Sequence, residues 1–497
     1  MKYLALTAAL LSTLASAQNS TTGPACACSQ LAAAAPGNAT ALLRAGDALY
    51  DTENRRVWDQ RSNQNPACIF LPSTPQEAAA AVEIISGCDA TFAIRGGGHA
   101  PVPGANNIEN GVLLSLNRLR TLSLAEDEAT VTVGAGNRWV EVYQFLEPEG
   151  LYVIGGRLST IGVPGVTLFG GVNYLINKYG FSMDQVTSYE VILGNGTLVT
   201  ASSSTNPDLF WALKGGTNNF GVVTTFTFKT ISVPSVSTSI IAVGDSGVES
   251  YIEAFCDFVD DTGNNPSIGV GSVSTISYNV TSRQASASFI GAAEGTDNPS
   301  PRFAGIAAVP GKVLENNNVS TPFQFQRAAQ APLNIFRVQF GHHTIKTDAP
   351  RLQQIYREWR AAVEDIADVQ GLGATFVLNG APKSAAAVAL NNGVGNVWGL
   401  ADDDNYIWWQ FSTTWALPQD DLRVTTWSNS LLERIHRENV ELGLATEFLY
   451  AGDASEFQNV FVTYPKENQE RLEQIRDVYD PEAVFRRLNF GGFKIGF

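Results

Sequence analysis

Three glycine-rich segments, each at the end of a strand-like run, constrain the fold of this chain more than any other feature. They read RGGGHAPVPG at 95–104, GGRLSTIGVPGVTLFGG at 155–171 and NPDLFWALKGGTNNFGVV at 206–223. Glycine lets the backbone approach another group closely, and successive amide N–H groups in such turns form a nest for an anion such as a pyrophosphate. One phosphate needs one such turn, so three of them predict a large, extended cofactor.

Several common kinds of site are not indicated. The first segment is not a G-x-G-x-x-G motif opening a helix, and no P-loop G-K-[ST] or G-x-S-x-G is present. The histidines have no metal-ligand spacing, so we expect no metal; they are His99, His342, His343 and His436. A net charge of −16 argues against nucleic acid and against an anionic membrane as partners.

The N-terminus has the pattern of a secretory signal. Lys2 precedes an apolar run over 3–14, and Ala15-Ser16-Ala17 is a small-residue cleavage site. No later stretch reaches 18 apolar residues, the minimum expected of a membrane span. We therefore expect a secreted, N-glycosylated protein, and we expect it to be a monomer. The N-x-S/T sequons lie at Asn19, Asn38, Asn195, Asn279 and Asn318.

Five cysteines in an oxidising compartment predict two disulfides and one free thiol. We expect the first four to pair among themselves, in one of three possible ways, and a Cys26–Cys28 bridge is the least comfortable because its loop is strained. The cysteines are Cys26, Cys28, Cys68, Cys88 and Cys256.

The sequence predicts an α+β protein, and its pattern of apolar residues differs between two parts of the chain. Short strands and helices alternate over 68–231, with caps predicted at Thr74, Asn137 and Asn206 and a hairpin turn at Asn195-Gly196. From about 236 long period-two runs predict an antiparallel sheet with helices on one face. The long helices are expected at about 350–366, 420–441 and 465–478.

Four motifs in this order resemble the vanillyl-alcohol-oxidase type FAD-binding family, and within it the fungal berberine-bridge-enzyme-like branch. They are FAIRGGGH, GGRLSTIGVPGVTLFGG, NPDLFWALKGGTNNFGVVT and YDPEAVFRRLNFGGFK. The resemblance implies a PCMH-type FAD-binding domain of two α+β subdomains and a substrate domain with a large antiparallel sheet covered by helices. The implied boundaries are 1–17 for the signal, 18–61 for a tail, 62–235 for the FAD domain, 236–445 for the substrate domain and 446–497 for a return to the FAD domain.

The resemblance also implies the residues that hold FAD. His99 takes the place of the histidine that is bonded to the flavin 8α-methyl group, and Arg95 to Gly98 would wrap the pyrophosphate. Leu158 stands where some members carry a second bonding cysteine, so a single covalent bond is expected. Ile161 stands where the family controls oxygen access. The expected FAD-binding residues are Arg95, Gly96, Gly97, Gly98, His99, Gly162, Gly165, Gly170, Gly171, Gly221 and Val222.

The catalytic base is expected in the run YAGDASEFQNV. Relatives carry Tyr-x-Asn-Tyr or Tyr-x-Asn-Asp there; this chain has Tyr450, Gly452 in place of the asparagine, and Asp453. A carboxylate beside an apolar flavin face would have a raised pKa and could accept a proton near neutral pH. The alternatives are that Asp453 caps a helix or lies on the surface and that Tyr450 only packs.

Substrate contacts are expected at His343, Gln410 and Tyr174. Strand alternation sends His342 and His343 to opposite faces, so at most one of them faces the pocket. In YIWWQFSTTW, alternation separates Trp408, Gln410, Ser412 and Thr414 from the intervening side chains; one face is either a substrate pocket or sheet core against helices.

The expected function is an FAD-linked oxidoreductase. It would take a hydride from a small, largely hydrophobic alcohol, phenol or alkaloid- or polyketide-like metabolite, and O2 would reoxidise the flavin to give H2O2. The alternatives are a carbohydrate or oligosaccharide oxidase of the same fold and a non-enzymatic binding protein.

Overall fold

The computed structural model of the protein describes residues 22–35, 40–331 and 333–496. The predicted signal segment at 1–17 and the sequons at Asn19 and Asn38 lie outside the described residues. Among the described helices, none has the length and apolarity needed to cross a membrane.

The N-terminal layer is a four-stranded sheet in the order β1-β2-β4-β3, in which β2, β4 and β3 are parallel. Both predicted disulfides form here, Cys26–Cys88 and Cys28–Cys68, and they join the first helix to the end of the third and to β2. The strands are β1 (Leu42–Leu43), β2 (Cys68–Phe70), β3 (Phe92–Arg95) and β4 (Val112–Ser115). The helices are α1 (Gly23–Ala34), α2 (Tyr50–Asn54) and α3 (Pro75–Gly87).

A five-stranded antiparallel sheet in the order β5-β6-β10-β8-β9 follows, and β7 pairs separately with β11. Its strands are β5 (Leu122–Leu124), β6 (Thr130–Gly134), β8 (Val186–Ile192), β9 (Leu198–Ser202) and β10 (Val222–Lys229), with β7 (Leu151–Tyr152) and β11 (Ile231–Ser232) beside it. The helices of this part are α4 (Trp139–Leu146), α5 (Val163–Phe169), α6 (Ile176–Tyr179) and α7 (Pro207–Ala212).

An antiparallel eight-stranded sheet in the order β15-β12-β14-β13-β17-β18-β16-β19 forms the other half. Period-two burial turns one face of it toward α8, α11 and α13, where Phe376, Trp409 and Phe411 join a buried core with those helices. Its strands are β12 (Val236–Gly244), β13 (Val270–Asn279), β14 (Gln284–Glu294), β15 (Lys312–Ser320), β16 (Arg337–Lys346), β17 (Gly373–Ala381), β18 (Tyr406–Trp415) and β19 (Ala445–Thr446). The helices are α8 (Val248–Asn264), α9 (Ala304–Ala307), α10 (Pro322–Gln326), α11 (Ala349–Val363), α12 (Lys383–Asn391) and α13 (Asp421–Glu441).

The C-terminal residues return to the first half of the molecule. Helices α14 (Lys466–Tyr479) and α15 (Val484–Arg487) lead to Leu488, whose carbonyl accepts a hydrogen bond from Phe92 N on β3. The Asn489 amide donates to Phe92 O at 2.9 Å, so this segment extends the contacts of β3.

The predicted α+β class is confirmed, with one correction at a helix start. Thr74 caps α3 as expected, its hydroxyl accepting from Glu77 N. Helix α4 begins one residue later than the Asn137 cap implies, because Glu141 accepts from the Arg138 amide, and the Asn137 side chain instead donates to Gly134 O. Asn206 is the N-cap residue of α7 and Pro207 is the first residue of that helix, as expected. The Asn206 carbonyl accepts from Phe210 N, while its side-chain amide donates to Thr200 O and makes no capping hydrogen bond.

Candidate active site

A cavity of about 400 Å³ lies between the glycine-rich turns and the open face of the large sheet. Its walls come from both halves of the molecule and from the C-terminal return. The turns contribute Gly96, Gly97, Gly98, His99, Gly162, Gly165, Gly221 and Val222. The sheet contributes Val273, Thr275, Phe340, Val377, Asn379, Gln410 and Ser412, and the return contributes Tyr450, Gly452, Asp453, Gly491, Gly492 and Phe493.

The first two glycine-rich turns touch backbone to backbone. A Cβ on Gly97 would lie 2.3 Å from Gly162 N, and one on Gly162 would lie 2.5 Å from Gly97 N. Gly98 has a φ of +76°, and a Cβ there would lie 2.1 Å from Arg56 O. Because a side chain cannot fit between these strands of backbone, only glycine lets the turns meet at the edge of the cavity.

His99 projects from this junction into the cavity wall. Its ring stacks on Trp58 at 6.1 Å between centroids. Burial, and then the positive charge of Arg138, lower the pKa of His99 to about 3. Its Nε2 is buried with no partner among the described residues. The ring is therefore neutral at physiological pH and has a nitrogen that no described protein group satisfies.

Five of the residues expected to contact the cofactor or substrate do not line the cavity: Arg95, Gly170, Gly171, Tyr174 and His343. Arg95 is buried, and its guanidinium donates to the Glu53 carboxylate at 2.9 Å and to backbone carbonyls of Glu53 and Asn54, so it holds α2 against β3. Gly170 and Gly171 turn the chain after α5 with φ of 118° and 85°. The Tyr174 ring packs against Phe325 in the core.

The structure also corrects the expected placement of His343. Its side chain is on the helix face of β16, where it stacks on His436 at 3.6 Å between centroids and binds Glu433. Alternation turns its neighbour His342 to the opposite face. There His342 Nε2 accepts a hydrogen bond from the Tyr450 amide at 2.8 Å, so His342 anchors the segment that carries Asp453.

Tyr450 lies in the cavity wall among aromatic side chains. Its ring stacks on the Trp408 ring at 5.0 Å between centroids. Burial, and then the negative charge of Asp453, raise the pKa of Tyr450, which keeps the phenol protonated. A Cβ on Gly452 would lie 2.5 Å from the Tyr450 hydroxyl, so the residue that replaces the relatives' asparagine packs flat against this ring.

Asp453 lies in a turn and lines the cavity. Its backbone amide donates to Tyr450 O, and its side chain caps no helix. Its Oδ2 accepts from Asn379 Nδ2 at 2.8 Å. Desolvation raises the pKa of Asp453 to about 6, against the opposing effects of Arg157 and of the Asn379 hydrogen bond. A carboxyl with this pKa is largely ionised at pH 7 and can accept and release a proton there.

Comparison with known proteins places the chain in a family. A family described as an FAD binding domain matches residues 66–202. The FAD-dependent monooxygenase prx3 of Penicillium roqueforti is 30% identical over 487 residues, covering 94% of this chain and 93% of that protein. The chain belongs to the berberine-bridge-enzyme-like FAD-linked oxidoreductases. The FAD-dependent monooxygenase tpcD of Cochliobolus heterostrophus is also 30% identical to this oxidoreductase, covering 88% of the chain and 86% of the relative.

Solved structures share the fold of the oxidoreductase across nearly its whole length. 6-Hydroxy-D-nicotine oxidase from Arthrobacter nicotinovorans aligns with a TM-score of 0.75 and 17% identity, covering 91% of this chain and 97% of that one. Xylooligosaccharide oxidase from Myceliophthora thermophila aligns with a TM-score of 0.71 and 20% identity, covering 91% and 96%. Both comparisons confirm the predicted fold class.

The residues of the cavity fit FAD. The turns present backbone with no side chains at Gly96, Gly97 and Gly98, which suits a pyrophosphate, and a Cβ on Gly165 would meet nothing within 4 Å. The unsatisfied Nε2 of His99 lies in the wall. The remaining wall is mostly apolar, as a flavin ring requires. Bound FAD supplies the acceptor for a hydride from the substrate.

Arg157 and Asn379 are cavity residues that were not predicted from the sequence. Arg157 lies inside the second glycine-rich segment and donates to Ser272 O and to Asn379 Oδ1, both at 2.9 Å. Asn379 in turn donates to Asp453, so the three side chains form one chain of hydrogen bonds. The signal available was the position of Arg157 among the glycines and the polar Asn379 within the apolar run FVLNG.

Proposed function

We propose that the protein is a secreted oxidase that takes a hydride from a small, largely hydrophobic metabolite in secondary metabolism. The substrate class is an alcohol, a phenol or an alkaloid- or polyketide-like compound, and O2 serves as the acceptor that is reduced to H2O2. The observation that carries this proposal is the Asp453 carboxyl, whose pKa is about 6, in a largely apolar cavity that is also lined by the His99 turn.

In the proposed oxidation, residues of the cavity would have the following roles. Asp453 accepts the proton of the substrate hydroxyl, and Asn379 keeps its carboxyl turned toward the cavity. Gln410 and Ser412 offer polar contacts on the sheet side, whereas Val273, Phe340 and Val377 pack on an apolar substrate. Tyr450 closes one wall and keeps water out.

A single covalent bond between His99 and FAD is part of the proposal. The neutral His99 ring would have a lone pair for an N–C bond to the flavin 8α-methyl carbon, and the low pKa of His99 maintains the neutral state. That carbon would lose a C–H proton, and the two electrons left on the flavin would pass to O2. Leu158, where a second bonding cysteine would stand, lines the cavity, and the free Cys256 is buried on α8 in the other half of the molecule. Both observations favour one bond rather than two.

We infer that 1–17 is a cleaved signal, that 62–235 and 446–497 hold FAD, and that 236–445 binds substrate. The two disulfides suit an extracellular protein. We also infer a monomer with exposed N-glycans.

The fate of the two oxygen atoms of O2 distinguishes the proposed oxidase from a monooxygenase, the activity for which the fungal relatives are named. A screen of phenols, alcohols and oligosaccharides under 18O2, with peroxide and product both quantified, tests it. An oxidase gives one H2O2 per product and no 18O in the product. Incorporation of 18O with little peroxide would favour a monooxygenase, and turnover of oligosaccharides alone would favour the carbohydrate oxidase.

A further inference from the structure

We propose that the stacked pair His343–His436 is an acid-sensitive contact between α13 and β16, and that protonation of the pair loosens the turn at 450–458, which carries Asp453. The pair lies on the helix side of the large sheet, behind the cavity. The inference goes beyond the proposed function, because it gives a regulatory role to two histidines that line no part of the cavity.

The two rings are stacked face to face within the contact between β16 and α13. Their centroids are 3.6 Å apart and their planes differ by 5°. His343 is 5% exposed and His436 is 8% exposed, and Nδ1 of each ring is buried with no hydrogen-bond partner among the described residues. A proton added to either Nδ1 would therefore have no acceptor, so this geometry suits neutral rings.

The charges around the pair can compensate one added proton but not two. His343 Nε2 lies 3.1 Å from Glu433 Oε1, whereas His436 Nε2 lies 3.9 Å from Oε2 of the exposed Glu447. An exposed carboxylate at that distance contributes little, and two imidazolium rings in contact repel strongly because water is excluded between them. The titratable and charged groups that face the pair are Glu433 and Arg437 on α13, Glu447 after β19 and His342 on β16.

The direction of the pH effect follows from the stack. Burial, and then the neighbouring His343, lower the pKa of His436 to about 4. An imidazole in water has a pKa of about 6.5. Between these values the separated pair binds a proton that the stacked pair excludes. The contact is therefore fully stable above about pH 6.5 and loses stability as the pH falls toward 4.

Gln458 connects this contact to the turn at 450–458. It is 6% exposed, and its side-chain amide pairs with both backbone groups of His342 on β16. Oε1 accepts from His342 N at 3.3 Å, and Nε2 donates to His342 O at 2.7 Å. Oε1 also accepts from Ser455 N at 3.1 Å, so one side chain fastens the turn to the strand.

The turn and α13 pack on the same part of β16. A Cβ on Gly341 would lie 2.8 Å from Leu432 Cδ2 of α13 and 3.9 Å from Gln458 Oε1. Gln458 Nε2 also lies 3.5 Å from His343 Nε2. Because the helix and the turn cover adjoining positions of the strand, separation of α13 from His343 exposes Gln458 to water and weakens its hold on His342.

Hydrogen exchange of the flavin-loaded enzyme, read by mass spectrometry at pH 7 and pH 4.5 and corrected for the intrinsic rates, tests the inference. In wild type we expect amides of α13 and of 450–458 to exchange at least about tenfold faster at pH 4.5, and those of α8 to keep their protection. His436→Phe keeps a flat ring against His343 and takes up no proton, so its exchange should be equal at both pH values. Glu441→Gln removes an exposed carboxyl from the same helix and should behave as wild type.

Three results would overturn the inference. The first is equal protection of α13 at both pH values in wild type, which decides even if His436→Phe fails to fold. The second is an acid effect that persists in His436→Phe, since it would then come from other groups. The third is faster exchange in α13 alone, with the turn still protected. The measurement needs no turnover, so these results leave the proposed oxidase untouched, and absence of peroxide with every substrate would reject the proposed function alone.

Discussion

Asp453 is the residue on which the proposed chemistry depends most directly. We expect Asp453→Asn to lower kcat by about 10²–10⁴-fold, since that is the usual contribution of a positioned general base. Flavin content should not change, because the amide can keep a contact with Asn379. The exposed Asp402→Asn is the matched control and should have wild-type kcat. Equal turnover in Asp453→Asn and wild type would remove Asp453 from the mechanism.

The pH dependence of wild type follows from the same carboxyl. A base works in its ionised form, so kcat/KM should rise with pH through a midpoint near the Asp453 pKa of about 6 and level off above it. Steady-state rates from pH 4.5 to pH 8 measure this limb. A flat profile over that range would mean that another group accepts the proton.

His99 gives a prediction that needs no substrate. Acid precipitation of wild type should leave a yellow pellet, because a covalent flavin stays with the chain, whereas His99→Ala supplied with FAD should leave a colourless pellet and a yellow supernatant. Visible spectra of both fractions are the measurement. A yellow wild-type supernatant would keep FAD as the cofactor and reject the covalent bond.

At the scale of elements, the contact between the first two glycine-rich turns can be tested by adding a single methyl group. Gly97→Ala places a Cβ 2.3 Å from Gly162 N, so the turns must separate. We expect a lower Tm and a lower flavin content, measured by thermal unfolding and by the ratio of visible to ultraviolet absorbance. Gly305→Ala on α9 adds a Cβ with nothing within 4 Å and should change neither quantity.

The alternation of β18 separates substrate binding from stability. Gln410→Met on the cavity face should change KM while Tm stays near that of wild type. Phe411→Ala on the helix face should lower unfolding stability by about 3–5 kcal/mol, the usual cost of emptying an aromatic core site. Denaturant unfolding and steady-state kinetics of the two variants check this division, and a destabilised Gln410→Met with unchanged KM would contradict it.

Element types and the cofactor loops could be predicted from sequence, because period-two runs and glycine turns are local patterns. The α11, α13 and α14 helices begin and end close to their expected bounds. The Arg157–Asn379–Asp453 chain could not be predicted, since its members are 222 and 74 positions apart and meet only through the fold. The face of His343 could not be predicted, because alternation puts His342 and His343 on opposite faces of β16 without saying which face is turned to the cavity.

On the scale of the whole molecule, the cavity exists because two differently built halves meet. The glycine-rich turns at strand ends supply backbone where a large cofactor needs close approach. The eight-stranded sheet supplies side chains at regular intervals on one face and buries the other against helices. A change on the cavity face of the sheet can therefore alter the substrate without disturbing the residues that fit FAD.

Secretion is the last property that belongs to the whole chain. Asn195, Asn279 and Asn318 are all exposed in the structure and are accessible to glycosylation. Expressed through a eukaryotic secretory pathway, the protein should appear in the medium and lose mass after treatment with an N-glycosidase. Each of the variants Asn195→Gln, Asn279→Gln and Asn318→Gln should remove one glycan's share of that mass, measured on the intact protein. A secreted chain with no mass change would keep the signal at 1–17 and reject glycosylation, whereas retention inside the cell would reject the signal itself.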